Sequence, residues 1–202
     1  MFYELILFKK SLKRYGVELG NYFEFGVYEG DSTIAFYNAL KKLKIENSMK
    51  FYLFDSFVGL PDKDNPKDNN QNWSKGMFTV NGVDNFKKII KEKGLDPNRL
   101  NLVDGFYEKS LKGLSIKAKP GIVNIDCDYY SSTVTVLNYL KDIVNQGTLI
   151  YFDDLNSFFG SPNKGMLSAI MEFNNNNKHI GYSPCPAFYG KYMNRIYWVW
   201  KD

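Results

Sequence analysis

Four aspartates in two pairs carry the densest chemistry in this chain: Asp126 and Asp128 in I-D-C-D-Y-Y, and Asp153 and Asp154 in Y-F-D-D-L. Carboxylates are hard anionic oxygen donors, so a group of them suits a divalent cation such as Mg2+, and one left outside the coordination shell suits proton abstraction. Neither role needs imidazole or thiolate, and the single histidine, His179, lies away from both pairs. Taken singly, each aspartate fits a helix cap or a turn equally well. As a set they differ, because four unneutralised carboxylates at neighbouring strand ends repel one another unless a cation lies among them. Asp126 and Asp128 share a face if a strand continues through them, whereas Asp153 and Asp154 converge only if a strand ends between them.

Upstream, E-F-G-V-Y-E-G-D-S-T (Glu24 to Thr33) reads as a turn between a strand and a helix. Backbone amides at a helix N-terminus are unpaired and partly positive, which suits a carboxylate or phosphate. Gly26 and Gly30 would let a ligand approach that backbone, while Asp31, Ser32 and Thr33 also read as N-caps. The spacing is G-x-x-x-G rather than the G-x-G-x-x-G that packs a pyrophosphate, which argues against a nicotinamide dinucleotide. A second strand ends in Phe54-Asp55-Ser56, placing Asp55 where cofactor folds put a ribose-binding acid, with Ser56 beside it. Phe57 could cover an adenine face and Asp104 could accept from an adenine amino group; core packing and turn formation are their alternative roles.

The elements that must position these groups follow from the hydrophobic pattern. Apolar runs near Tyr22 to Val27, Lys50 to Asp55, Asn101 to Asp104, Gly121 to Asp126 and Thr148 to Asp153 each end in Asp or just beyond a Gly, as parallel strands buried on both faces do. Between them run helical stripes: Phe36, Leu40 and Leu43; Val83, Phe86 and Ile90; Val134, Leu137 and Val144; Met166, Ile170 and Phe173. The alternation predicts an α/β fold with a mostly parallel central sheet and helices on both faces. Cys185 to Trp200 holds two aromatic segments separated by Gly190 to Asn194, which predicts an antiparallel hairpin at the sheet end. A lid-like loop is expected over 58–77, where Val58 to Lys75 is polar, carries two prolines and includes Trp73; a second loop spans Asn156 to Lys164.

At 202 residues the chain is expected to form a single domain with a full core. Its charge of +4 is spread along the sequence, so no nucleic-acid footprint is expected. Two cysteines, Cys127 and Cys185, exclude a disulfide framework and suit a reducing cytoplasm. Met1 to Phe8 contains Glu4 and precedes its positive charges, so it does not read as a signal peptide; residues 1–20 are expected to be a short helical segment, and no stretch reaches membrane-spanning length.

In this order, E-F-G-V-Y-E-G-D-S, F-D-S-F-V-G-L-P, K-G-M-F, D-G-F-Y-E-K-S-L, I-D-C-D-Y-Y-S-S-T and F-D-D-L resemble the macrocin O-methyltransferase (TylF-like) family, from about Tyr22 to Phe173. The resemblance implies a Rossmann-like class I fold, S-adenosylmethionine as donor, Mg2+, and methylation of a sugar hydroxyl on a natural product, glycan precursor or nucleotide sugar. It further implies that Glu24, Gly26 and Gly30 shape the methionine end of the cofactor site, that Ser32 meets its carboxylate, and that Asp55 meets its ribose. Asp126, Asp153 and Asp154 would hold the metal, with Asp126 also bordering the cofactor, and Asp128 would be the general base. Val58 stands where the family pattern has an acid. Only about twenty residues precede the first strand, so active-site cover is expected from the 58–77 loop or from a neighbouring subunit, with a homodimer implied by analogy. A catechol-like acceptor, or a noncatalytic cofactor-binding role on the same fold, are the alternative readings.

Overall fold

A computed structural model describes residues 1–202. All five expected parallel strands form within one or two residues of their expected spans: β1 (Asn21–Phe25), β2 (Phe51–Asp55), β3 (Leu100–Asp104), β4 (Pro120–Ile125) and β5 (Leu149–Phe152). Two further strands, β6 (Ile180–Pro184) and β7 (Ile196–Lys201), complete a seven-stranded sheet of order β3-β2-β1-β4-β5-β7-β6. β7 pairs antiparallel with both β5 and β6.

The helices divide evenly between the two faces. On one lie α1 (Phe2–Ser11), α2 (Asp31–Lys42) and α3 (Val83–Glu92), whose Leu5, Phe36, Leu40, Phe86 and Ile90 pack with Tyr22, Phe51, Leu53 and Ile122. On the other lie α4 (Tyr107–Ser110), α5 (Tyr130–Leu140) and α6 (Gly165–Asn176), whose Leu137, Met166, Ile170 and Phe173 pack with Phe23, Phe25, Val123 and Ile125. Adjacent strand residues therefore enter opposite cores, which is why these strands are apolar throughout. The first residues form α1, as expected, and Phe2, Leu5 and Ile6 are buried.

Two expectations need correction. The hairpin's first strand is Ile180–Pro184, not the segment beginning at Cys185; Pro186 to Phe188 makes a 3-10 turn, and proline lacks the N–H a ladder requires. Val144 is buried but lies beyond α5, which ends at Leu140.

The 58–77 loop is docked. Its neck closes through backbone hydrogen bonds between Leu60 and both Gly76 and Met77. Its tip reaches α5, where the Ser131 N–H donates to Asp68 Oδ1 at 3.0 Å. Lys67 pairs with Glu172 on α6, and Trp73 sits 6.0 Å from the Tyr129 ring and 5.8 Å from Phe158. Because α5 has no side-chain cap of its own, Asp68 supplies from the loop the acceptor that its first turn needs.

Candidate active site

The strand order reverses direction between β1 and β4, and in open α/β sheets that switch point opens a crevice at the carboxyl ends of the strands. A cavity of about 290 Å³ lies there, at the lower limit of ordinary ligand clefts. Its lining includes Glu24, Gly26, Ser32, Asp55, Ser56, Asp126 and Asp128 from the expected site, together with Phe78 and the segment Gly105 to Glu108.

Each element delivers its group by a specific local device. Gly26 (φ +86°) ends β1 so close to β4 that a Cβ there would lie 1.6 Å from the Asp126 carbonyl oxygen, so only glycine fits. Asp55 secures the same turn: its Oδ2 accepts from the Val27 and Tyr28 N–H groups at 2.6 and 3.1 Å, and its Oδ1 from Phe57 N–H at 2.7 Å. Oδ1 retains a further acceptor position for a ligand hydroxyl. Glu24 is buried beneath the cavity, accepting from Tyr22, Thr33 and Asn124. Burial raises its pKa to about 7, against the pull of those three hydrogen bonds.

Three expected cofactor contacts are corrected. Phe57 has no exposed surface; its left-handed backbone (φ +54°) turns the ring into the core, 4.9 Å from Phe86, and it cannot cover an adenine. Gly30 does not line the cavity: the space of its missing side chain is filled by Ile90, whose Cδ1 would be 2.4 Å from a Cβ, so this glycine serves the packing of α3. Asp104 ends the edge strand exposed and outside the lining, and the chain turns at Gly105 so that Phe106 and Tyr107 border the cavity instead.

Asp126, which lines the cavity, and Asp153 and Asp154, which lie outside its lining, each offer a carboxylate oxygen within 4.8 Å of the others. β4 and β5 are parallel neighbours and stop at Ile125 and Phe152, so their next residues emerge side by side. The strand does not continue through Asp128; its left-handed conformation (φ +59°) folds it back, and its N–H donates to Asp154 Oδ2 at 3.1 Å. Ser157 donates to Asp154 Oδ1, and Tyr151 and Arg195 donate to Asp153 Oδ1. These supporting groups were not foreseen; Tyr151 follows from strand alternation, but Arg195 depends on the β5–β7 register, which no local pattern encodes.

The electrostatics are those of crowded acids. Burial, then the charges of Asp154, Asp153 and Asp128, holds the Asp126 pKa well above the carboxylate range. Burial and the charges of Asp154 and Asp153 push Asp128 to about 8, and burial with the charge of Asp153 pushes Asp154 to about 6. A hard divalent cation removes that repulsion, and oxygen-only donors are what Mg2+ selects, so the residues fit the ion. Cys127, buried between two of the acids, has its thiol pushed up by burial and is not a nucleophile.

A family model described as macrocin-O-methyltransferase (TylF) matches residues 9–180. Among solved structures, the O-methyltransferase NovP superposes with a TM-score of 0.70 at 17% identity, covering 99% of this chain and 78% of that one. CalS11, a calicheamicin methyltransferase, gives 0.68 at 21% identity, covering 97% and 77%. A ligand-free structure of CalS11, described as a TDP-rhamnose 3'-O-methyltransferase, gives 0.59 at 18%, covering 97% and 78%. At such identities the likeness establishes the Rossmann-like methyltransferase fold. No curated protein sequence matches the chain.

Proposed function

The chain belongs to the macrocin-O-methyltransferase (TylF) family of S-adenosylmethionine-dependent O-methyltransferases, and from that premise we propose that it methylates a sugar hydroxyl with Mg2+ held by Asp126, Asp153 and Asp154 and Asp128 as the base. The observation that carries this reading is the meeting of three acids within 4.8 Å, of which Asp126 lines the cavity, beside a fourth, Asp128, that also lines it and accepts no hydrogen bond from the protein.

A sugar hydroxyl is a poor nucleophile at neutral pH. Bound Mg2+ would lower its pKa by electrophilic contact, worth several kcal/mol of charge stabilisation in such sites. The protein's own task is alignment and proton removal. First-turn amides of α2 near Ser32 suit the donor's carboxylate, Asp55 Oδ1 suits a ribose hydroxyl, and Phe106 replaces Phe57 as the proposed adenine neighbour. With a sulfonium donor bound there, Asp128 would take the acceptor proton as the methyl group moved from sulfur to the acceptor oxygen and the donor left as a neutral thioether, and would then pass that proton to water. A base in this role contributes about 100- to 10,000-fold.

The proposed acceptor class is a nucleotide-linked or glycan sugar, following the TDP-rhamnose acceptor of the CalS11 neighbour. The cytoplasm is the proposed setting, where both free thiols stay reduced; no helix is long and apolar enough to cross a membrane. Calorimetric titration with S-adenosylhomocysteine, followed by a methyl-transfer panel of nucleotide sugars and catechols with Mg2+ or chelator, tests the reading. Transfer to a nucleotide sugar that chelator abolishes supports it; transfer only to catechols, or to sugars equally well in chelator, overturns the acceptor or the metal assignment respectively.

A further inference from the structure

The stretch matched by the family ends at residue 180, and the β6–β7 hairpin lies almost wholly beyond it, yet this hairpin sends a side chain into the acidic cluster. Tyr151 faces Ile196 in the β5–β7 register, and the Phe152 N–H donates to the Arg195 carbonyl at 3.0 Å. Backbone pairing alone therefore brings Arg195 alongside Asp153. Its Nη1 donates to Asp153 Oδ1 at 3.1 Å and to the Tyr151 hydroxyl at 3.3 Å, and that hydroxyl donates to the same Oδ1 at 2.7 Å. The guanidinium side chain is only 17% exposed, and its Nε is buried without a partner. An arginine held this way is confined, unlike the exposed Lys75–Asp62 pair on the loop.

We propose that Arg195 is a positioning residue for the cation site: with Tyr151 it occupies Oδ1 of Asp153 and so turns Oδ2 toward the point shared with Asp126 and Asp154. This rests on reading that cluster as a Mg2+ site. A carboxylate rotates easily about its terminal torsion, so a ligand oxygen without a clamp samples orientations that do not serve the ion. Two donors on one oxygen remove that freedom, and outer partners of ligating carboxylates act in this way in metal sites generally.

The sign of the effect separates this role from simple charge balance. As a bare positive charge, Arg195 would repel an incoming cation, and removing it would tighten binding. As a clamp, removing it loosens binding. Mn2+ affinity, measured by calorimetry and by the loss of the free-ion electron paramagnetic resonance signal, is compared in the wild type, Arg195→Met, Arg195→Lys and Tyr151→Phe, with S-adenosylhomocysteine affinity measured in parallel. The expected result is a roughly 10- to 100-fold weaker Mn2+ affinity in Arg195→Met, a smaller loss in the other two, and unchanged S-adenosylhomocysteine affinity. Equal or tighter Mn2+ binding in Arg195→Met overturns the proposal. If that variant does not fold, Tyr151→Phe decides by the same criterion, since it removes one donor and leaves the charge. A wild type that binds no Mn2+ defeats the metal reading and this proposal together; a wild type that binds beside indifferent variants defeats this proposal alone.

Discussion

On the cofactor side of the cavity the protein answers its own carboxylates: Glu24 accepts from three side chains and Asp55 from three backbone N–H groups. Across the cavity, the carboxylates of Asp126 and Asp128 accept nothing from the protein, and burial, then the charges around them, push their protons on. The first side is held by folding: Asp55 braces the glycine turn, and Glu24 ties β1 to β4 and α2. The second is held under electrostatic tension that a cation and an acceptor hydroxyl would relieve. One pocket thus contains acids whose oxygens are taken up by the protein and two, Asp126 and Asp128, whose carboxylates are left to whatever binds there.

The sharpest way to break this contrast is Asp128→Asn. Turnover should fall about 100- to 10,000-fold, equivalent to roughly 3–5 kcal/mol of barrier, with S-adenosylhomocysteine and Mn2+ affinities within about twofold of wild type. Normal turnover would move Asp128 into the architectural group. Next in size, Gly26→Ala should damage both sides together, because the new Cβ meets the Asp126 carbonyl at 1.6 Å. A loss of roughly 3 kcal/mol in denaturant unfolding is expected, with cofactor binding lost too; an intact site would show that the two strand ends can separate.

Glu24→Gln sharpens the comparison on the architectural side. An amide offers one acceptor oxygen and presents donors to donors, so a cost of about 1–3 kcal/mol is expected. The wild-type pH dependence has a definite sign. Glu24 holds its proton more tightly folded, at about 7, than its ordinary 4.5, so the stability it lends below 4.5 is lost as pH rises through 7. The cluster has the same sign, lost through about 6 for Asp154 and about 8 for Asp128. Melting temperatures measured against pH in chelator should show both contributions. Added Mn2+ should remove the cluster's part only, and Glu24→Gln only the other; a cation that flattened the whole curve would merge the two groups of acids. Smallest of all, Phe57→Leu should cost under about 1.5 kcal/mol and leave S-adenosylhomocysteine affinity alone, whereas Phe106→Ala should weaken that affinity. The reverse result would restore Phe57 to the pocket.

Much of this was legible in the sequence, and the limits have physical causes. Strands, covering helices and the acid-bearing strand ends follow from apolar runs and their punctuation, which are local. Past a strand end the alternation no longer applies. Asp128 reaches the cluster through a left-handed residue and Phe57 leaves the pocket through another, and neither turn is encoded by side-chain pattern. Gly30 shows a second limit, since its function is room for Ile90, sixty residues away. The third is register: Arg195 meets Asp153 only because β7 pairs with β5 in one particular alignment, while the expected hairpin misplaced the strand on its other side.

The placement of β1 between β2 and β4 has a consequence for how the chain acquires its shape. One flank of β1 is covered by the next strand to be synthesised, but the other stays open until β4 emerges, and Glu24 finds Asn124 one hundred residues downstream. Contacts so distant in sequence carry a large loop-closure entropy and form slowly. A nascent chain leaving the ribosome therefore carries an unfinished apolar ribbon, with Tyr22, Phe23 and Phe25 along it, for about half of its synthesis, and its exposure to chaperones and to aggregation is set by this topology rather than by the stability of the finished enzyme.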